Sequence, residues 1–281
     1  MDRFDWLELK DVSAPLKAST HSAPRTPSDG PSFYRAARRL RMSGHFRSAA
    51  AYYERAIGFD DQNYAARVEL VDTLIRARQL AEAERHSQES LENYGQVRLL
   101  YAARGLVLAH RGRFNEAFAA SDISLENSEG SWYARCVRAE LLLKQTPHER
   151  FDAMRFIDQA VDLAEPPWEA YLLGGWMLLE ADYAVLAAGL FAEAAHQNPW
   201  APLCWLCLGD CFYRLRFYDQ ALFYYDRVLE LEPSHELAQR RRAQCSPRLF
   251  GLLRVFQRRN FLDRWNREFE MLRRRAKPDD I

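Results

Sequence analysis

Lysine is nearly absent from this chain. Only Lys10, Lys17, Lys144 and Lys277 stand among 39 basic residues, and the rest are arginine. Acidic residues also number 39, so the net charge is zero and no global positive excess marks a nucleic-acid binder. Long apolar runs are missing as well. No stretch approaches the ~20 uninterrupted apolar residues that span a bilayer. The opening Met1-Asp2-Arg3-Phe4-Asp5-Trp6 lacks the basic start and apolar block of a secretory signal, so the expected location is cytoplasmic. Cysteine is scarce and odd in number, five in 281 residues, which argues against a disulfide framework. Phosphate-loop, H-E-x-x-H and G-x-S-x-G patterns are lacking, and the seven histidines are scattered with no pair at ligand spacing. The expectation is a non-enzyme without cofactors. With 48 % apolar and 28 % charged residues, a disordered or collagen-like chain is excluded.

Three cysteines lie close together. Cys204, Cys207 and Cys211 fall at i, i+3 and i+7, one face of a helix. Thiolates so placed can converge on a metal, but no fourth ligand is evident in the segment. The reading adopted is small apolar packing at a close helix contact, with no metal.

What the chain has is a period. From Pro202 run Trp205, Leu208-Gly209, Phe212, Ala221, Tyr225 and Pro233. Stepping back from unit to unit, by 34 residues except for 36 between the units at 132 and 168, the unit at Trp168 has Tyr171, Gly174-Gly175, Leu178, Ala187, Phe191 and Pro199. The unit at Arg98 has Tyr101, Gly105, Leu108, Phe114 and Ala117, and that at Tyr64 has Leu70, Leu74, Leu80 and Ala83. The unit at Gly30 has Phe33, Leu40, Phe46, Ala49 and Tyr53. The unit 132–167 is the least regular, with Ala139 at the glycine place, Arg135 and Arg138 at apolar ones, and a turn about two residues long for the pattern. On these residues the sequence resembles the tetratricopeptide repeat family. The resemblance implies an all-α right-handed solenoid of six helix pairs, 30–63, 64–97, 98–131, 132–167, 168–201 and 202–235. Small residues at the eighth and twentieth places let the two helices of a pair approach, and stacking buries what one pair alone cannot.

The flanks differ from the repeats. Residues 13–29 are rich in proline and serine and read as a flexible linker. Residues 1–12 set Phe4, Trp6, Leu7 and Leu9 among acidic neighbours, a candidate recognition peptide that either folds back on this chain or a neighbouring copy, or meets a partner. The expected acceptor is basic: Arg38, Arg41 and Arg76, or the arginine-rich C-terminal end. Residues 236–281 carry thirteen basic and six acidic residues on amphipathic spacing. They read as two or three capping helices whose basic face, with Arg258, Arg259, Arg264, Arg267, Arg273, Arg274 and Arg275, either keeps the cap soluble or meets an anionic partner.

In the family, the second, fifth, ninth, twelfth and thirteenth places usually face a concave groove. The resemblance therefore implies a partner-binding lining of Tyr34, Arg38, Arg41, Arg76, Leu99, Leu106, Tyr133, Leu172, Trp176, Leu206, Asp210 and Tyr213. Asp72, His110, Glu140, Lys144, Glu169 and Glu180 stand at the same places. This lining suits a peptide or amphipathic helix with apolar anchors. The clamp for a C-terminal carboxylate found in some relatives does not fit, because its Lys and Asn places hold Tyr34 and Arg38, then Val68 and Asp72. For Trp176 and Leu206 the competing reading is packing against an internal segment. The expected function is a scaffold or adaptor for protein partners. The second reading is a peripheral membrane- or polyanion-associated assembly factor using the basic C-terminal end. Self-association is left open, since no residue specifies it.

Overall fold

The computed structural model describes residues 27–126, 131–145 and 150–245. The peptide with Phe4, Trp6, Leu7 and Leu9, linker residues 13–26, and the basic residues Arg258, Arg259, Arg264, Arg267, Arg273, Arg274 and Arg275 lie outside them. Among the described residues there are thirteen helices and no strand. They form six antiparallel pairs. α1 (Gly30–Met42) pairs with α2 (Phe46–Phe59), α3 (Tyr64–Arg76) with α4 (Leu80–Tyr94), and α5 (Arg98–His110) with α6 (Phe114–Leu125). α7 (Trp132–Gln145) pairs with α8 (Arg150–Leu163), α9 (Trp168–Glu180) with α10 (Ala184–Gln197), and α11 (Pro202–Arg214) with α12 (Tyr218–Leu231). α13 (Glu236–Gln244) packs on α12. The pairs stack into an all-α solenoid of tetratricopeptide-type repeats.

Side-chain size sets the spacing within a pair. At the twentieth place Ala49, Ala83, Ala117, Ala187 and Ala221, and at the equivalent place of the longer fourth unit Ala153, are all fully buried. At the eighth place a Cβ added to Gly209 would stand 2.6 Å from the Tyr225 ring, and one added to Gly175 would stand 2.8 Å from the Phe191 ring. In α5 the close neighbour is backbone: the same addition to Gly105 would meet the Ala117 carbonyl at 3.0 Å. The three cysteines of α11 pack in this crowded layer. All five cysteines are free and buried, and burial pushes the Cys204 thiol up to about 12.

The turn after the first helix of a pair repeats as well. Gly44, Arg78, Gly112, Asp182 and Arg216 all take positive φ, between 63° and 76°. The next residue then donates its N–H to a carbonyl five residues back: His45 to Leu40, Gln79 to Leu74, Arg113 to Leu108, Tyr183 to Leu178 and Phe217 to Phe212, at 2.8–2.9 Å. This is the Schellman closure, which satisfies carbonyls that the helix end would leave unpaired. The same closure recurs in five of the six pairs, the turn between α7 and α8 lying outside the described residues.

The stacked pairs bring the two ends of the array together. The turn after α1 meets the fifth and sixth pairs. His235 Nε2 lies 2.8 Å from the Ser43 carbonyl oxygen, His45 Nε2 lies 3.7 Å from Glu232 Oε1, and the two imidazole rings are 5.5 Å apart. Phe46 packs on Trp176 at 5.3 Å between ring centroids. His235 also accepts the Ala238 N–H on Nδ1, capping α13, so both ring nitrogens are engaged.

Candidate functional site

The first helices of the pairs face inward. Because the array closes on itself, their inner face is an interior core more than an open groove. Of the expected lining residues, Leu106, Leu172 and Leu206 are almost completely covered, and Arg41 and Tyr133 are buried. Tyr34, Leu99, Trp176, Asp210 and Tyr213 are half-buried. Arg38 keeps 37 % of its side chain exposed, whereas that of Arg76 keeps 1 %. The cover is provided by this chain's own side chains.

The ninth and thirteenth places bring charges together. Arg76 stands at the centre. One guanidinium nitrogen lies 3.2 Å from Glu140 and 3.5 Å from Asp72, the other 3.5 Å from Glu180, and the group rests 4.7 Å from the Trp176 ring centre. Arg41 bonds Asp72 at 3.0 Å and reaches Glu69 at 3.8 Å. Arg38 pairs with Glu69 and, across the interior, with Glu169. Glu140 also takes His110 at 2.9 Å and Lys144 at 3.7 Å, and Lys144 reaches Glu180 at 3.4 Å. The Tyr34 and Tyr53 hydroxyls donate to Glu69 at 2.7 and 2.6 Å. Five carboxylates thus meet four permanent cations and one imidazole. Burial would push the Glu140 carboxyl up, but Arg76, the His110 hydrogen bond and Lys144 outweigh it and hold the group at about 2.

This arrangement stores charge pairs and presents no free ligand set. His110, Glu140 and Glu180 do bring ligand atoms within 4.8 Å of one another. A cation there would have to displace the Arg76 guanidinium and the Lys144 ammonium from the same carboxylates. At the other end of the interior Asp210 accepts the Tyr225 hydroxyl at 2.7 Å and faces Arg241 at 3.4 Å. Several buried side-chain polar atoms, the Tyr133 hydroxyl and Arg76 Nε among them, have no hydrogen-bond partner among the described residues.

The sequence placed most of these side chains on one face, but not their pairing. Glu69 is a sixth-place residue outside the expected lining. Ser43, His45, Glu232 and His235, which join the ends, belong to turns. Arg38, Arg41 and Arg76, one of the two acceptors expected for the acidic N-terminal peptide, each have carboxylate partners, and the other, the arginine-rich C-terminal end, lies mostly outside the described residues. The arginines of the irregular unit also find places: Arg138 covers the Phe118 ring at 5.1 Å and pairs with Asp122.

Family models for the tetratricopeptide repeat match residues 40–104 and 202–235. No curated protein sequence matches the chain. Among solved structures, the chain is similar to YrrB, described as a TPR protein with an unusual peptide-binding site, at 20 % identity over 67 % of this chain and 96 % of that one, TM-score 0.39. A tetratricopeptide repeat protein from Parabacteroides merdae aligns at 16 % identity over 86 % and 95 % of the two chains, TM-score 0.49. PilW, a type IV pilus biogenesis factor, aligns at 16 % identity over 66 % and 89 %, TM-score 0.44. With the 34-residue period and six stacked helix pairs, the two family matches identify the chain as a tetratricopeptide repeat protein.

Proposed function

We propose that this chain is a non-catalytic scaffold for protein partners, and that it engages them through its outer layer and terminal segments. Tetratricopeptide repeat proteins generally mediate protein–protein interactions and scaffolding. The observation that carries the finer reading is the distribution of apolar surface. The inner face is covered by this chain's own side chains. The exposed large apolar residues, Phe59, Ile123, Trp200, Phe223 and Leu237, all lie on second helices of pairs, in a turn or on α13. Apolar anchors on an otherwise polar surface are where binding energy concentrates. The five unpaired cysteines fit a reducing, cytoplasmic setting. Among the described residues no helix is long and apolar enough to cross a membrane.

Affinity purification from the native cell tests this with three versions of the chain. Wild type and Glu180→Lys, which changes the inner rim, are expected to recover the same proteins. Phe223→Ser with Leu237→Ser is expected to lose about tenfold or more of that recovery while the helical signal persists. Full recovery by the double variant, or its loss in Glu180→Lys alone, would move the binding surface back inside. The membrane or polyanion reading rests mainly on residues beyond 245. Among the described arginines of that end, Arg240, Arg241 and Arg242 pair with Glu236, Asp210 and Asp226, which favours a capping role for α13.

A further inference from the structure

Among the described residues no helix pair covers the outer face of the first pair. A shallow cavity of about 530 Å³ opens there, lined by Pro27, Ser28, Phe33, Arg55, Gly58 and Phe59. Phe59 is 62 % exposed and stacks on Phe33 with 5.7 Å between centroids, and the Arg55 guanidinium lies 5.6 Å from the Phe33 ring. Gly58 is helical, yet nothing lies within 4 Å of where its Cβ would be. Its small size serves no contact inside the described structure and leaves the cavity open.

Charge selects what can sit there. Residues 30–59 hold six arginines and one glutamate. Arg38 and Arg41 are consumed by the interior. Arg35, Arg39, Arg47 and Arg55 are exposed, with no carboxylate at ion-pair distance among the described residues. An occupant must therefore offer aromatic surface with acidic neighbours. The C-terminal segment is itself basic and is repelled. Residues 4–9 supply Phe4 and Trp6 beside Asp5 and Glu8.

Position favours the same chain. Pro27 and Ser28 form part of the cavity wall, so the segment that leads back to residue 9 starts at the cavity itself. Seventeen residues separate Leu9 from Pro27. A flexible chain of that length reaches about 20–25 Å, enough to double back, and would hold the peptide at an effective concentration of order millimolar.

We propose that residues 4–9 dock in cis on this cradle, with Trp6 against the exposed face of Phe59 and Asp5 or Glu8 on Arg55. Offset stacking and a cation over the ring are the geometries such groups prefer. The contact covers the outer face of the first pair, and it holds whether or not the outer layer binds partners.

The test uses the full chain labelled with 5-fluorotryptophan, the Trp6 resonance being assigned by Trp6→Phe. The readout is the fluorine solvent-isotope shift, which reports contact with water. In wild type Trp6 is protected, equally at low and high protein concentration. In Gly58→Glu and in Phe59→Ser the docked-to-free ratio drops roughly tenfold to a hundredfold, the equivalent of one aromatic side chain's burial. Gly58→Ala leaves it unchanged. The fluorine resonances of the other tryptophans report that each variant is folded, and Phe59→Ser carries the test if Gly58→Glu does not fold. A fully solvated Trp6 in wild type overturns the proposal, as does equal protection in Phe59→Ser. Protection that grows with protein concentration assigns the cradle to a second copy and overturns docking in cis.

Discussion

Two glycines with empty surroundings separate backbone from packing. Gly112 and Gly58 both have nothing within 4 Å of a would-be Cβ, but only Gly112 has positive φ, at +76°. Gly112→Ala is expected to destabilise by about 1 kcal/mol through left-handed strain alone. Gly58→Ala is expected to stabilise by about 0.5–1 kcal/mol, because alanine loses less backbone entropy in a helix. Urea unfolding of both variants at neutral pH checks the opposite signs. Equal effects would mean that the conformation of the turn after α5 is not enforced. At this scale the sequence was legible where size decides. Gly105, Gly175 and Gly209 stood at the close-approach place, and the structure puts an aromatic ring or a carbonyl against each. It was not legible at Arg78, Asp182 and Arg216, exposed non-glycine residues that take positive φ in the hydrogen-bonded turn closing the helix end.

Along the first helices, the ninth and thirteenth places form one ladder of charges through Asp72, Arg76, His110, Glu140, Lys144 and Glu180. Residue types at fixed places told that these side chains share a face. Their pairing depends on curvature, which a repeat pattern does not state, so the lining read as an open groove. The buried member to test is Glu140. Its folded value, about 2, lies below the ordinary 4.5. Its contribution is therefore fully present above about pH 4.5 and is lost as pH falls through about 2. Glu140→Gln is expected to lose about 3 kcal/mol near neutrality, since the buried Arg76 guanidinium then faces a neutral amide. The gap between wild type and variant should stay flat above pH 5 and shrink steadily towards pH 2. A gap independent of pH over that whole range would show that Glu140 acts through shape and not charge.

At the scale of the whole molecule, the solenoid was legible in its 34-residue period, because stacking neighbours is the way such pairs bury their apolar faces. Its closure was not. The joining residues Ser43, His45, Glu232 and His235 sit in turns with no periodic signature, and they meet across 192 residues of chain at the Ser43–His235 contact. Closure explains why the inner face is covered, why its arginines are engaged and why exposed apolar side chains collect on the outside. The distance between the turn after α1 and the start of α13 therefore tests the account most directly. Spin labels at Arg47 and Glu236, both exposed, report it by double electron–electron resonance. The account requires one narrow, short distance that His235→Ala broadens. A broad distribution at long separation in the wild-type chain would show an open superhelix, and the covered inner face would become a groove again.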